Sequence, residues 1–171
     1  MAIKLGRRGF MALGVGSVAL LAVGGGAAAL ARPVWNAGKF LGDGATVLGA
    51  VAKAVLQGTL PAEGVAQNAA LSKLVVGIEG VLANFPTRTQ KEFVQLVSLL
   101  AHPWGRRALG MQHEWASASS AEVAAWLQNL RTASLAVQQQ AYHGLHDITL
   151  AAHFADPAVW QSIGYELPIK L

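Results

Sequence analysis

The chain contains no cysteine, and only 13% of its 171 residues are charged. A sequence without cysteine forms no disulfides and ligates neither zinc nor an iron-sulfur cluster through thiolates. It likewise provides no attachment point for c-type haem and no thiol nucleophile. The protein must therefore depend for its stability on an apolar core, on a partner, or on both.

The small excess of basic residues belongs largely to the start of the chain. Lys4, Arg7 and Arg8 are three of the thirteen basic residues, whereas none of the nine acidic residues precedes residue 32. Residues 32–171 therefore carry ten basic and nine acidic side chains, a net charge of +1. Nucleic-acid binding needs a clustered basic face. Because Arg106-Arg107 is the one local pair in this part, we expect no nucleic-acid partner.

Motifs of self-sufficient enzymes are also missing from the sequence. It has no Gly-x-Ser-x-Gly elbow, no Gly-x-Gly-x-x-Gly after a predicted strand, and no phosphate-binding loop. The nine carboxylates are scattered, and no acid pair stands out. We therefore expect this chain to contain no catalytic residue and no cofactor-binding residue.

The most specific pattern that is present lies at the N-terminus. Arg7-Arg8-Gly9-Phe10 precedes an apolar run over residues 11–30 that holds five glycines. Each interior glycine costs a helix about 1 kcal/mol relative to alanine, so this run is a poor core helix. Paired arginines before an apolar stretch are typical of a twin-arginine export signal. Arg7, Arg8 and Phe10 match that pattern, while Gly6 and Ala12 replace its usual Ser or Thr and Lys.

Ala29-Leu30-Ala31 is a small-x-small triplet of the kind that signal peptidases cleave, and it is followed by Arg32-Pro33. We therefore predict a signal over residues 1–31, with cleavage after Ala31, and a separate domain over residues 32–171. A Sec signal and a retained membrane anchor are the alternatives. With either export signal the expected location is the periplasm, in association with the inner membrane.

From residue 33 onward, apolar residues recur three and four positions apart, which is typical of helices. This periodicity predicts an all-α fold, a single small bundle of about five to six helices. The predicted helices cover about 43–56, 68–83, 87–101, 105–112, 119–131 and 134–154. We expect Trp115 and Trp126 in the core or at caps. Three capping boxes are predicted, at Thr87-x-x-Gln90, Thr89-x-x-Glu92 and Ser119-x-x-Glu122.

The last predicted helix has two different faces. At 100° per residue, Ala141, Leu145, Ile148 and Ala152 share one apolar side that should face the core. The opposite side mixes apolar and titratable groups: His143, His146, Asp147, Leu150, His153 and Phe154. Exposed apolar patches tend to mark interaction sites, so we predict a docking surface here. The residues expected to bind a partner are Leu150, Phe154, Asp156, Pro157, Trp160 and Tyr165.

The same helix raises the alternative of a metal site. His143, His146 and Asp147 lie on adjacent turns, His153 follows two turns later, and histidine with carboxylate can hold zinc or iron. A second helix bearing Glu-x-x-His is missing from the sequence, so we predict surface or interface histidines. The alternative function is a self-sufficient periplasmic helical protein that binds metal or a small ligand through this face.

Several of these features together resemble one protein family. The signal and the helical domain are followed by Ala141-Tyr142-x-x-Leu145 and by Asp156-Pro157-x-x-Trp160-x-x-Ile163-Gly164-Tyr165. This succession resembles the small subunits of bacterial membrane-associated flavoprotein dehydrogenases, such as the gluconate, sorbitol and fructose dehydrogenase complexes. Trp115-Ala116-Ser117 adds a weaker match. Glu166-Leu167-Pro168 departs from the Pro-Gly-Pro that commonly follows Gly-Tyr in that family.

The resemblance implies a non-catalytic role for this chain. A large subunit of the glucose-methanol-choline oxidoreductase type would hold FAD and oxidise an alcohol or a sugar. Electrons would pass to a cytochrome c subunit or to quinone. The small subunit would escort and stabilise its partner during export by the twin-arginine machinery, and would anchor it to the inner membrane if the signal is not cleaved.

Overall fold

The computed structural model describes residues 34–160 and 164–165. Within them the chain forms one short hairpin and seven helices, five of them long, which confirms the predicted all-α bundle. The predicted signal, with Arg7, Arg8, Phe10 and the cleavage site after Ala31, lies outside the described residues. The elements are β1 (Trp35–Asn36), β2 (Lys39–Phe40), α1 (Asp43–Val55), α2 (Val65–Ala83), α3 (Thr87–Ala101), α4 (Pro103–Ala108), α5 (Ser120–Arg131), α6 (Ala136–Phe154) and α7 (Pro157–Trp160).

Helix α1 is the centre of the bundle. Val47, Leu48, Val51 and Ala52 are completely shielded from solvent, and the helix packs against α2, α3, α5 and α6. These compact aliphatic side chains let four neighbouring helices pack closely around α1. The hydrophobic core is therefore built around α1.

A β-hairpin precedes α1, which the sequence did not predict. Ala37 and Gly38 form its turn with φ of 47° and 81°, and the Trp35 and Phe40 rings pack edge to face at 4.5 Å. The backbone N–H of Phe40 donates to Oε1 of Glu79 at 2.7 Å. This hydrogen bond joins the hairpin to the side of α2.

The capping box at the start of α5 is confirmed. The Ser119 hydroxyl accepts from the Glu122 N–H at 3.2 Å, and the Glu122 carboxylate accepts from the Ser119 N–H at 2.8 Å. This reciprocal pair satisfies two of the backbone donors that a helix start leaves open. The side-chain pattern here fixes the beginning of the helix.

The two capping boxes predicted for α3 are wrong. The helix begins at Thr87 with Pro86 as its N-cap, and no side chain caps it. The Gln90 amide donates instead to the Phe85 carbonyl at 2.8 Å. In a capping box, a Gln or Glu side chain accepts a hydrogen bond from the backbone N–H of the N-cap residue. Pro86 is the N-cap of α3 and has no N–H, so this bond cannot form.

Helix α4 begins two residues earlier than the sequence predicted and ends at Ala108. Pro103 takes the first helical position, where its missing N–H costs nothing, and His102 Nδ1 accepts from the Trp104 N–H at 3.2 Å. Trp104 therefore lies in a helix and not in a connector, and its side chain is 54% exposed. Helix α2 also begins earlier than predicted, at Val65, and α6 begins later, at Ala136.

Trp115 and Trp126 pack together in the core as the sequence predicted. Their rings meet edge to face at 5.1 Å. Each indole N–H has a carbonyl acceptor, Leu100 for Trp115 at 2.7 Å and Leu109 for Trp126 at 2.8 Å. Buried indoles normally satisfy their single donor in this way. The pair joins α3 and the α4 corner to α5.

Helices α2 and α6 pack closely side by side. A Cβ added at Gly77 would lie 3.4 Å from Ala152 Cβ, so two small residues set the distance between the helices. The predicted core side of α6 is confirmed, with Ala141, Leu145, Ile148 and Ala152 all buried. This contact positions the C-terminal end of α6 against the middle of α2.

Candidate functional site

The outer face of α6 keeps part of the predicted titratable group together. Tyr142 stacks on His146 with ring centroids 5.1 Å apart, and its edge meets the His143 ring at 5.2 Å. His146 Nδ1 lies 2.9 Å from Oδ1 of Asp147. Tyr142 therefore contacts both histidine rings, and the Asp147 carboxylate engages His146.

His153 does not share this face, so its predicted surface placement is wrong. Its side chain is only 8% exposed, and its Nε2 has no hydrogen-bond partner among the described residues. Burial lowers the pKa of His153 below its ordinary value, while the charge of the nearby Asp156 acts in the opposite direction. The imidazole is thus held in a setting that favours its neutral form.

The four candidate metal ligands are accordingly not brought together. Helical periodicity places His153 toward the bundle, whereas His143 and Asp147 point outward. Among residues 34–160 and 164–165, no group of three or more His, Cys, Asp or Glu side chains has the geometry to hold a metal ion. The spacing of these residues along α6 suggested one cluster of ligands. It could not show that His153 is buried against the bundle.

The predicted docking residues cluster better at the end of α6. Asp156 precedes α7, where its Oδ1 accepts from the Ala158 N–H at 3.1 Å and its Oδ2 meets Lys73 Nζ of α2 at 2.5 Å. The pKa of Asp156 is lowered, first by the hydrogen bond from Lys73 and then by that from the Ala158 N–H. Pro157 is exposed and begins α7. The predicted turn is therefore a short helix, which the Lys73–Asp156 ion pair joins to α2.

Phe154 precedes Asp156 at the end of α6, and Trp160 and Tyr165 follow it. We call these three aromatic residues the aromatic cluster. The Trp160 indole N–H donates to the Phe154 carbonyl at 2.8 Å, and the Tyr165 N–H donates to the Trp160 carbonyl at 2.9 Å. The Trp160 and Tyr165 rings meet edge to face at 5.7 Å. Phe154 is 38% and Tyr165 51% exposed. The tail is thus folded onto its own helix and still presents aromatic surface.

Leu150, the remaining predicted docking residue, takes a mixed position. It is half-buried and packs against the core, because it lies near the edge of the α6 core side. It therefore offers little exposed surface. The more exposed of the predicted docking residues lie at the end of α6 and beyond it, and not along the whole outer face of α6.

Two features escaped the sequence analysis. Arg106 is only 4% exposed, and its Nε has no partner among the described residues, whereas the sequence suggested only a local charge pair. The second is the outer face of α2, which carries exposed Val65 and Val76. A search for apolar side chains on both sides of that helix, and not only on the core side, would have found it.

One described helix, α2, is long and apolar enough by composition to cross a membrane, and only 22% of its apolar 18-residue stretch is buried. The bundle therefore covers α2 on one side.

Comparisons of this chain with protein-family models, with curated proteins and with solved structures find no match.

Proposed function

We propose that this chain is the non-catalytic small subunit of an exported oxidoreductase. Its partner is a large FAD-dependent alcohol or sugar dehydrogenase that lacks an export signal of its own. The small subunit carries the twin-arginine address, stabilises the large subunit, and keeps the complex at the periplasmic side of the inner membrane. Substrate oxidation takes place in the partner, from which electrons pass to a cytochrome c subunit or to quinone.

The observation that carries this proposal is the aromatic cluster. Tyrosine and tryptophan are enriched among the residues that dominate protein-protein binding. In this chain the Trp160 indole donates to the Phe154 carbonyl at the end of α6, and the Tyr165 N–H donates to the Trp160 carbonyl at the end of α7. Ordered side chains lose little conformational entropy on binding, so a prearranged aromatic surface suits a lasting subunit contact.

The position of the Lys73–Asp156 pair supports the same role. It fastens the α7 segment to α2, so that the aromatic cluster stands on two long helices instead of a free tail. A chain terminus that is not tied down is usually poorly ordered. Tying it down beside exposed aromatic side chains is the arrangement expected of a docking surface.

The export role is tested by co-expression with the large flavoprotein subunit that the proposal requires. Deletion of residues 1–31, or the pair Arg7→Lys and Arg8→Lys, should leave the large subunit in the cytoplasm, because the export receptor recognises the arginine pair. Lys4→Gln is the matched control and should leave export unchanged. A large subunit that reaches the periplasm with the deleted chain contradicts the proposal.

The docking role is tested separately with the signal intact. Tyr165→Ala and Phe154→Asp should each reduce recovery of the large subunit with the tagged small subunit. A hot-spot residue contributes about 2 kcal/mol or more, roughly a 30-fold loss of affinity. Trp104→Ala removes an equally exposed aromatic residue on α4 and should have no effect. Equal losses from all three variants would assign the effect to general surface hydrophobicity and not to the aromatic cluster.

A further inference from the structure

Arg106 on α4 is a buried cation that the described part of the chain does not neutralise. The residue is only 4% exposed. No carboxylate among residues 34–160 and 164–165 forms an ion pair with it, and no side chain or carbonyl there accepts from its guanidinium. Taking a charge out of water is costly unless an opposite charge or hydrogen-bond acceptors replace the lost solvent. The guanidinium therefore has room for an acceptor from outside the chain.

The three nitrogens of this guanidinium differ in their access to solvent. Nε is completely enclosed and donates to no described residue. The terminal nitrogens Nη1 and Nη2 also lack an acceptor there, but they are not enclosed. The side chain of Arg106 thus runs through the protein, and its terminal fork of N–H donors opens at the surface. Such a fork matches the paired oxygens of a carboxylate or a phosphate.

The end of α4 explains why the stem of this side chain is buried. The Met111 N–H donates to the Arg106 carbonyl at 3.0 Å, the Gly110 N–H donates to the Arg107 carbonyl at 2.9 Å, and Gly110 has a φ of 88°. These bonds form a Schellman motif, in which the side chains at the two ends of the outer hydrogen bond commonly pack together. Met111, at one of those ends, is 3% exposed. Such packing holds the methylene groups of Arg106 in place, but it supplies no acceptor for the guanidinium.

The acidic residues that are nearest in sequence do not supply the acceptor either. Oε1 of Glu92 lies 2.9 Å from Nε of Arg88, and Oε1 of Glu122 lies 3.0 Å from Nδ1 of His113. Glu114 is exposed, and its carboxylate forms no ion pair with a described residue. Residues 93–113 contain no acidic side chain at all. The counter-charge is therefore missing from the whole segment around α4.

The charge next to this site has the same sign. Arg107 follows directly and is exposed, so two cations raise the local electrostatic potential and attract anions. We propose that Arg106 forms a binding site for one small oxyanion, a phosphate or a carboxylate, held end-on by Nη1 and Nη2. Arg107 attracts the anion without contacting it. This inference concerns the chain alone and does not depend on the escort role.

NMR of the full chain, labelled with ¹⁵N-arginine and kept in a non-ionic detergent, tests the site directly. The enclosed Nε–H of Arg106 exchanges slowly with water, and Arg106→Lys identifies its signal by removing it. Inorganic phosphate and acetate are each titrated against chloride at constant ionic strength. The Arg106 signal should shift and saturate in the roughly millimolar range with at least one oxyanion, and the stronger of the two names the preferred group. The signal of Arg88, whose Nε already donates to Glu92, should not saturate.

Three outcomes of this titration would overturn the proposal. One is the absence of a saturable shift with either oxyanion. Another is the same saturation at Arg107, which would indicate general attraction of counter-ions to the surface. The third is a displaced Arg106 signal in Glu114→Gln without added oxyanion, because it would identify an internal carboxylate as the partner.

Thermal unfolding gives a second measurement that does not depend on the NMR signal. A ligand that binds only the folded chain raises its unfolding temperature, so the preferred oxyanion should stabilise the native chain more than chloride does. Arg106→Met keeps the apolar stem and should lose this difference. Arg106→Lys keeps the charge but not the fork, and it should weaken binding about tenfold. Equal stabilisation of the native chain and the Arg106→Met variant contradicts the site.

Discussion

Lys73 Nζ and Asp156 Oδ2 lie 2.5 Å apart and join the middle of α2 to the residue that directly precedes α7. The other carboxylate oxygen of Asp156 caps the Ala158 N–H. One side chain thereby fixes both the packing of the segment and the start of its helical turn. Because Lys73 is 72% exposed, solvent screens the pair, and its main effect is on position and not on global stability.

Lys73→Gln should raise the pKa of Asp156 toward its ordinary value of 3.8, because the hydrogen bond from Lys73 is the largest cause of its lowering. The sign follows from linkage: a carboxyl with a lowered pKa stabilises the fold above its ordinary pKa, and this stability is lost as the pH falls. The carboxyl resonance of Asp156, followed by NMR titration, measures the shift. Lys91→Gln, an exposed charge on α3, should leave that titration unchanged.

His153 should make the protein less stable in mild acid. Its folded-state pKa is below the ordinary value of 6.5 because burial disfavours the cation. The unfolded chain therefore binds the proton more readily, and the free energy of unfolding falls as the pH drops below about 6.5. Denaturant titrations between pH 7.5 and the onset of carboxyl protonation, roughly pH 5, measure this slope.

His153→Gln should flatten that slope, since the variant lacks the imidazole whose pKa burial lowers in the folded chain. His143→Gln is the matched control, because His143 is exposed on the same helix, and it should preserve the slope. An unchanged slope in the His153 variant would show that burial of this imidazole does not determine the acid response. Asp156 acts at lower pH, below its own ordinary pKa of 3.8, so the two effects are separable.

Gly105→Ala should destabilise the α3–α4 corner. A Cβ at this position would overlap the carbonyl oxygen of Leu99 and lie 2.5 Å from its Cδ1. The backbone must move to admit it, and overpacking of this kind costs about 1–3 kcal/mol. Gly49→Ala on α1 is the matched control because nothing lies within 4 Å of its added Cβ. That variant should gain up to about 1 kcal/mol from helix propensity, and urea unfolding measures both changes.

The sequence predicted those parts of the fold that depend on local periodicity. Helix α3 begins and ends as predicted, and α1 differs by one residue, because apolar spacing and flanking Gly and Pro mark their limits. The β-hairpin was missed because two-residue strands have no measurable alternation. Its turn places Ala37 at positive φ, which sequence preference opposes and tertiary packing of Trp35 on Phe40 permits.

The grouping of the predicted docking residues follows from the sequence for a related reason, whereas their role in binding stays a prediction. Phe154, Asp156, Trp160 and Tyr165 are adjacent in sequence, so their grouping needed no knowledge of other helices. Three other features depend on which helices are neighbours. They are the burial of His153, the ion pair of Asp156 with Lys73 and the exposed apolar face of α2. Helical periodicity identifies two faces of a helix but cannot say which neighbour covers each of them.

The capping box of α5 and the absence of a side-chain cap on α3 can be compared by one substitution at each helix start. Ser119→Ala should cost about 1 kcal/mol, because the hydroxyl that accepts the Glu122 N–H is lost and that donor becomes unsatisfied. Thr87→Ala should change the free energy of unfolding by less than about 0.5 kcal/mol, since no side chain caps α3. Both substitutions remove a hydroxyl at the start of a helix from the same capping-box pattern, so side-chain chemistry is closely matched. Equilibrium urea unfolding of the two variants measures the difference, and similar costs for both would mean that Thr87 caps α3 in solution after all.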